Sequence, residues 1–338
     1  MNYLEYIDIL QEKRLISTET KELLWEYTNR LIKNKVPVIY NLRHLRKWLN
    51  IKKKEQDKLF GKNRNLLYRV FYIPKKSGSF RKIQAPTEFL EIRQRWIKEN
   101  ILDKIKFSDY AKGFKKGTNI VDNARGHCKR KYILNIDIKN FFPNINYSKI
   151  FKLFCYIGYN REVSHLLTNL CTNEENVLPQ GAPTSPSLSN LVNVKLDKRL
   201  SCFAKSIGGV YTRYADDITI SSNINPYNYI QTITKIVNDE GYQLNNKKTR
   251  VQNCGQKQEV TGLIVNDKVS VNKKIKKELD NAIYYINKYG IESHIKHIKC
   301  KKIHYKEHLF GLAYFVKMVD YNLGVRYLKK LNELKWQY

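Results

Sequence analysis

Gly209-Val-Tyr-Thr-Arg-Tyr-Ala-Asp-Asp-Ile-Thr-Ile-Ser221 is the stretch whose reading decides the fold. Two short runs that alternate apolar and polar residues flank the adjacent acids Asp216 and Asp217, which is the pattern of two half-buried strands joined by a tight turn. The carboxylates then sit at a hairpin tip. Anions held that close repel each other unless cations lie between them, so the pair points to a hard divalent metal bound by oxygen. An ordinary polar turn is the plain alternative, because Asp is common in turns.

A second acid has the same kind of flank. Lys131-Tyr-Ile-Leu-Asn-Ile-Asp-Ile-Lys-Asn-Phe-Phe-Pro143 reads as a buried strand, with Leu134, Ile136 and Ile138 on one face and Asn135 and Asp137 on the other. A lone carboxylate inside a strand is costly unless it is neutralised or partnered, and metal is one such partner. A third stretch, Leu178-Pro-Gln-Gly-Ala-Pro-Thr-Ser-Pro-Ser-Leu-Ser-Asn-Leu191, packs Pro, Gly and Ser into a rigid turn and then opens into a helical pattern. Backbone amides there can face a flat or anionic ligand.

The order of the "NIDIKNFF" strand, the "LPQGAPTSP" turn and the "YADD" hairpin resembles the palm of reverse transcriptases. Two further pieces are similar to the bacterial retron branch: "NARGH" (Asn123 to His127) before the first palm strand, and "VTG" (Val260 to Gly262) after the palm. The likeness runs from about Tyr68 to Val271. It implies an α+β right-hand polymerase with fingers, an antiparallel palm sheet and a helical thumb, in which Asp137, Asp216 and Asp217 are catalytic and hold two Mg2+ ions. It further places Lys75, Arg81 and Lys82 on the incoming triphosphate, and Phe142 under the nucleotide sugar as a steric gate that admits deoxyribose by clashing with a ribose hydroxyl. Gln180 and Gly181 flank the nucleotide and templating base. Lys248, within an Asn-x-x-Lys-Thr pattern with Asn245 and Thr249, protonates the leaving pyrophosphate or steadies the finger loop. Asn123, His127, Val260, Thr261 and Gly262 form a nucleic-acid-binding surface of the retron type.

The expected reaction is RNA-directed DNA synthesis on a structured non-coding RNA, primed from a 2′-hydroxyl, giving a branched RNA–DNA hybrid (msDNA). Expected partners are that RNA and its product, deoxynucleoside triphosphates and an effector protein of the same anti-phage defence system, in the bacterial cytoplasm. A group II intron-like or other defence reverse transcriptase should lack the Asn-Ala-x-x-His and Val-Thr-Gly pair. A non-catalytic RNA-binding scaffold is the alternative of another class, and the intact acids, Gln180 and Lys248 argue against it.

Composition agrees. Lys and Arg number 62 against 31 Asp and Glu among 338 residues, a formal net charge of +31 that suits a polyanion, nucleic acid first. A membrane surface is the rival, but no long apolar run or signal-peptide pattern is present. The six cysteines (Cys128, Cys155, Cys171, Cys202, Cys254 and Cys300) form no Cys-x-x-Cys pair, so reduced thiols and no structural zinc are expected.

Along the chain, residues 1–60 read as helices leading into the fingers, with Leu42, Leu45 and Leu49 as a core stripe. Residues 61–130 are the fingers. They begin with a β-hairpin from Arg69 to Gln84 whose Lys-Lys-Ser-Gly-Ser tip carries Lys75 and Lys76, followed by an amphipathic helix from Thr87 to Lys104 packed through Leu90, Ile92, Trp96 and Ile97. Asn123 and His127 share one face if their segment is helical. Residues 131–146 form the first palm piece, 147–177 intervening helices, 178–263 the second palm piece and 264–338 the thumb. One thumb stripe runs through Ile275, Leu279, Ile283 and Ile286, and another from Phe310 to Leu334. His294 with His297, and His304 with His308, have helical spacing, but no carboxylate completes a metal pattern.

Overall fold

The computed structural model describes residues 2–61, 64–75, 78–298 and 304–336. Lys76 at the hairpin tip and the Cys300 thiol lie outside the described residues. The first elements are α1 (Tyr3–Glu12), α2 (Thr18–Lys33), α3 (Leu42–Trp48), α4 (Gln56–Phe60), β1 (Tyr68–Pro74), β2 (Phe80–Pro86), α5 (Glu88–Asn100), α6 (Ile120–Arg125) and β3 (Tyr132–Asp137). There follow α7 (Tyr147–Ile157), α8 (Arg161–Cys171), α9 (Ser185–Leu191), α10 (Val194–Ser206), β4 (Val210–Tyr214), β5 (Asp217–Ser222) and α11 (Ile230–Asp239). Last come β6 (Arg250–Asn253), β7 (Glu259–Val260), β8 (Leu263–Ile264), α12 (Lys273–Tyr289), α13 (Ile291–His297), α14 (Tyr305–Val319) and α15 (Tyr321–Glu333). Among the described residues no helix is long and apolar enough to cross a membrane.

The chain forms two compact units, the first made of Met1–Lys115, Ile138–Leu200 and Thr232–Leu244 and the second of Lys116–Asp137, Ser201–Gln231 and Asn245–Tyr338. In the first, helices start where short polar side chains cap them: Asn146 accepts from the Lys149 amide at 3.1 Å and Asn160 from the Val163 amide at 2.9 Å. Ile150, Leu153, Phe154 and Ile157 of α7 and Val163, Leu167 and Leu170 of α8 then bury one stripe each. Leu45 of α3 and Leu49 just after it are buried, and Leu42 at the start of α3 is partly buried, along the predicted stripe.

The hairpin of β1 and β2 pairs Tyr68 with Pro86 through to Pro74 with Phe80. Its outer part is exposed; Gln84, near the base, is buried, and its side-chain amide accepts from Asn173 Nδ2 at 2.8 Å. The helix after it differs from the expected stripe. Leu90, Gln94 and Ile97 are the buried positions of α5, one helical face at i, i+4 and i+7, and Ile92 falls on the other side and is 55% exposed. Gln94 is tolerated there because its Nε2 donates to Tyr68 Oη at 3.1 Å and to the Leu170 carbonyl at 2.8 Å.

The second unit carries a four-stranded antiparallel sheet of order β4-β5-β3-β6. Leu134 opposite Ile220 and Ile136 opposite Ile218 give it one apolar face, all four buried. After the sheet, α12, α14 and α15 enclose Leu279, Ala282, Ile286, Leu309, Ala313, Val316, Tyr327 and Leu331, with Ile275 and Ile283 packed at the margin. The predicted stripe from Phe310 to Leu334 is two helices: Asp320 ends α14 and caps α15, accepting from the Leu323 amide at 3.0 Å. Gly324 lets them touch, since a Cβ there would lie 2.2 Å from Lys317 Cα. Two of the four histidines with helical spacing are engaged by other side chains, His294 Nε2 with Tyr305 Oη at 3.0 Å and His308 Nε2 with Glu278 at 2.9 Å. Cys128, Cys155, Cys171, Cys202 and Cys254 are free thiols.

Candidate active site

β3 and β5 align so that Asp137 lies directly opposite Asp217. Residues directly opposite in an antiparallel pair project from the same face, so the first and last acids of the sequence reading meet across the ladder. Asn135 opposite Thr219 continues that face, one period back. Asp216 sits in the two-residue turn Ala215-Asp216 that joins Tyr214 to Asp217. Ala215 holds φ at +56°, in the left-handed region where a Cβ costs about 1–2 kcal/mol. Part of what holds it is Arg213, a fully buried arginine whose guanidinium donates to the Ala215 carbonyl at 3.2 Å. The sequence reading passed over Arg213. A charged residue alternating into the buried face of a strand was the available signal, since such a charge must find partners inside.

The acids open onto a cleft of about 620 Å³ lined by Asn135, Asp137, Asp217, Lys247, Lys248, Arg250, Thr261 and Gly262 among others. Asp137 is buried, and both its oxygens are engaged: Lys248 Nζ reaches Oδ2 at 2.7 Å and Asn245 Nδ2 donates to Oδ1 at 3.0 Å. The hydrogen bond to Asp137 is the main cause that raises the Lys248 pKa above the usual lysine value. Asp217 presents surface to the cleft, yet protein surrounds enough of its carboxyl that loss of water pushes its pKa up to about 6. The Asp216 and Asp137 anions add to that rise, and Lys248 and Arg250 offset part of it. The mutual repulsion of three carboxylates at one end of the sheet is thus only partly offset by Lys248 and Arg250. Among the described residues no three His, Cys, Asp or Glu side chains stand together as a closed metal cage. The donor set is still the hard, anionic oxygen that a divalent cation takes, with Lys248 where a cation's charge would be needed.

The two retron-type pieces meet in the same unit. Asn123 Nδ2 donates to Thr261 Oγ1 at 3.3 Å. Thr261 and Gly262, at φ +46° and +84°, form the two-residue turn between β7 and β8 and line the acid cleft. Val260 is fully buried in the apolar cluster with Val121, Ala124 and Ile133. Asn123 and His127 are also buried, and the helix ends at Arg125, so they are not two positions of one exposed face. His127 Nδ1 pairs with Ser221 Oγ at 2.7 Å and Nε2 with Thr212 Oγ1 at 2.8 Å. Both ring nitrogens are taken up inside the protein, so the imidazole ties the α6 segment to β4 and β5. Burial pushes its pKa down to about 3, with Arg130 adding to the effect.

The residues expected on the nucleotide lie in the first unit. Arg81 and Lys82 stand exposed on β2, opposite Ile73 and Tyr72, and Lys82 is paired with Glu175 at 2.7 Å. Lys75 closes the described end of the hairpin, its amide donating to the Ser79 carbonyl at 2.7 Å. The Gln180 carbonyl accepts from the Gln84 amide at 2.8 Å, which joins the Pro-Gln-Gly turn to β2. Gly181 follows at φ +128°, and a Cβ there would stand 3.1 Å from the Gln84 carbonyl oxygen. The half-buried ring of Phe142 packs edge-on against Phe141, centroids 5.4 Å apart, with Phe114 at 6.3 Å.

Residues 73–305 match the family model described as reverse transcriptase (RNA-dependent DNA polymerase). The chain is 35% identical over 328 residues to the retron Ec86 reverse transcriptase of Escherichia coli, covering 93% of this chain and 96% of that protein. It is 32% identical over 273 residues to the retron Mx65 reverse transcriptase of Myxococcus xanthus, covering 75% of this chain and 61% of that one. Among solved structures, telomerase from Candida albicans in complex with a fragment of telomeric RNA aligns over 79% of this chain and 61% of that chain, at 12% identity and a TM-score of 0.47, a likeness too loose to add weight. The family match over residues 73–305, the near full-length retron relative and the acid pair facing across β3 and β5 lead to one assignment: the chain belongs to the bacterial retron reverse transcriptases and is an RNA-directed DNA polymerase.

Proposed function

We propose that Asp137, Asp216 and Asp217 hold two Mg2+ ions and that the enzyme copies a structured non-coding RNA into DNA from a 2′-hydroxyl within that RNA, leaving a branched RNA–DNA product. The observation that carries the reading is the register that sets Asp137 against Asp217. When bound, the pair of ions lowers the pKa of the attacking hydroxyl and offsets charge on the departing pyrophosphate.

The protein's own groups do the rest. The carboxylates of Asp137 and Asp217 supply the anionic floor on which the primer terminus and triphosphate converge. Lys248 leaves Asp137 as that floor fills and delivers charge, or its proton, to the leaving phosphate oxygen. Arg81 and Lys82, with Lys75, take the triphosphate, Lys82 exchanging Glu175 for a phosphate. Phe142 fills the space a ribose 2′-hydroxyl needs, and Gln180 and Gly181 seat the base pair. Thr261 and Gly262, on the cleft wall, touch the primer strand, and buried Asn123, His127 and Val260 fix that wall. Residues 1–60 and 61–130 serve as helical front and fingers, 131–146 and 178–263 as palm, 147–177 as the helices between the palm pieces, and 264–338 as thumb. The retron relationship supports a role in anti-phage defence alongside an effector protein in the bacterial cytoplasm.

Replacing Asp217 by Asn tests the reaction. Extension of a primer on RNA should vanish while RNA binding persists, and full extension by the purified Asp216→Asn/Asp217→Asn variant refutes the assignment. Nucleic acid recovered with the wild-type protein tests the product: a branched species sensitive to both DNase and RNase is expected, and RNA alone counts against it.

A further inference from the structure

A second recess lies wholly within the first unit and includes none of the three acids. It has a volume of about 1080 Å³, just above the roughly 300–1,000 Å³ of small-molecule sites. Eight of its lining residues are lysines and one, Glu240, is a carboxylate. That carboxylate is already matched, by Lys195 at 3.1 Å and Arg199 at 2.8 Å. The recess therefore concentrates positive charge that this wall does not balance.

Its floor is of a different kind. Leu153, Ile157 and Leu191 contribute apolar surface, and Tyr156, on the outer face of α7, is 85% exposed. Lys149 reaches across the recess, donating to the Glu240 carbonyl at 2.9 Å with its ammonium 3.7 Å from the Tyr242 ring centroid. Loss of water lowers the Lys149 pKa to about 8, so a nearby anion would stabilise its charged form. Lysines around apolar and aromatic surface match a strand that offers phosphates and unstacked bases together. A duplex offers the phosphates and hides the base faces, and a small anion has no use for the floor.

We propose that this recess, formed by α7, the start of α10 and the Lys33–Lys35 and Lys104–Lys106 segments, is a binding site for unpaired nucleic acid separate from the acid cleft, with Tyr156 as a stacking platform. The site would hold a single-stranded part of the template RNA or of the DNA made from it. It does not depend on the roles given to Asp137, Asp216 and Asp217.

The experiment uses the full chain and photo-crosslinking to a single strand of about 12 nucleotides, within the usual footprint of such sites. RNA carries 4-thiouridine and DNA carries 4-thiothymidine, and adducts are mapped by mass spectrometry. Adducts on the α7 peptide that contains Tyr156 are expected, competed by unlabelled single strands and not by a hairpin duplex. Stronger competition by RNA assigns the template and stronger competition by DNA the product. Tyr156→Ala should weaken single-strand binding about 5- to 150-fold and Tyr156→Trp should keep it. Lys35→Glu with Lys152→Glu should lower the salt slope by about 1.4, from two lost phosphate contacts. Both variants should still extend a pre-annealed primer, which separates this site from the polymerase reading. No adduct on α7 in the wild-type protein overturns the proposal. So does competition by polyglutamate as strong as that by RNA, which would make the recess a dock for an acidic protein.

Discussion

His127 couples the stability of the palm sheet to pH, by an amount the structure sets. Its ring lies fully buried between Ser221 and Thr212, and its pKa falls from 6.5 to about 3. That difference corresponds to about 5 kcal/mol, at about 1.36 kcal/mol per pH unit. The folded pKa is the depressed one. Above pH 6.5 the ring is neutral in both states and the full stability is present; as pH falls from 6.5 toward 3 only the unfolded chain takes up the proton, so stability drops by about 1.4 kcal/mol per unit. Below 3 both states are protonated and the loss stops. At pH 5 the loss reaches about 2 kcal/mol. His127→Asn removes the titrating group, at a cost of about 1–3 kcal/mol at neutral pH for hydroxyls left without a partner. Hydrogen exchange of β4 and β5 peptides, corrected for the intrinsic pH dependence of exchange, measures the opening free energy in both proteins. The wild-type value should fall more steeply than the variant's below pH 6.5. Parallel slopes would mean that the ring is solvated or already charged in the native sheet, and the argument fails.

Gly324→Ala should open the α14–α15 contact, because a Cβ 2.2 Å from Lys317 Cα must move a backbone; a net loss of about 1–3 kcal/mol in thermal unfolding is expected despite better helix propensity, and an unchanged or raised melting temperature would contradict it. Gly181→Ala adds strain at φ +128° and a Cβ 3.0 Å from Ile83 Cγ2, so a loss of about 1–3 kcal/mol is expected with a raised KM for deoxynucleotides, checked by melting and steady-state extension. Lys248→Met frees Asp137 from its ion pair. Calorimetric titration with Mn2+ should show tighter binding while the extension rate falls, and unchanged affinity would show that the ammonium and the cation do not compete.

Much of the palm was legible because its strands alternate. The period-two pattern around Asp137 and Asp217 separated a buried face from a face that carries acids, and antiparallel pairing then brought the acids together. Lys248 and Asn245 were recognised as a pattern, but their grip on Asp137 depends on a return of the chain more than 100 residues later, which local spacing does not encode. The surface position expected for His127 came from the resemblance of the Asn-Ala-x-x-His segment, and local spacing alone does not separate a packed histidine from a solvated one. Its burial depends on Thr212 and Ser221, polar residues of distant strands that offer a hydrogen bond to each nitrogen. Ile92 and Gln94 exchanged places for a similar reason: propensity favours the apolar residue inside, and Tyr68 with the Leu170 carbonyl made the amide acceptable.

The bond from the Gln84 amide to the Gln180 carbonyl ties the Pro-Gln-Gly turn to the edge of the β1–β2 hairpin. A swing of β2 would therefore pull on the segment that carries Gln180 and Gly181, where the two backbones run so close that even a Cβ at Gly181 would stand 3.1 Å from the Gln84 carbonyl oxygen. A spectroscopic label near Ser79 would then sense a displacement of Gln180, so the hairpin and the turn report on each other as one mechanical unit.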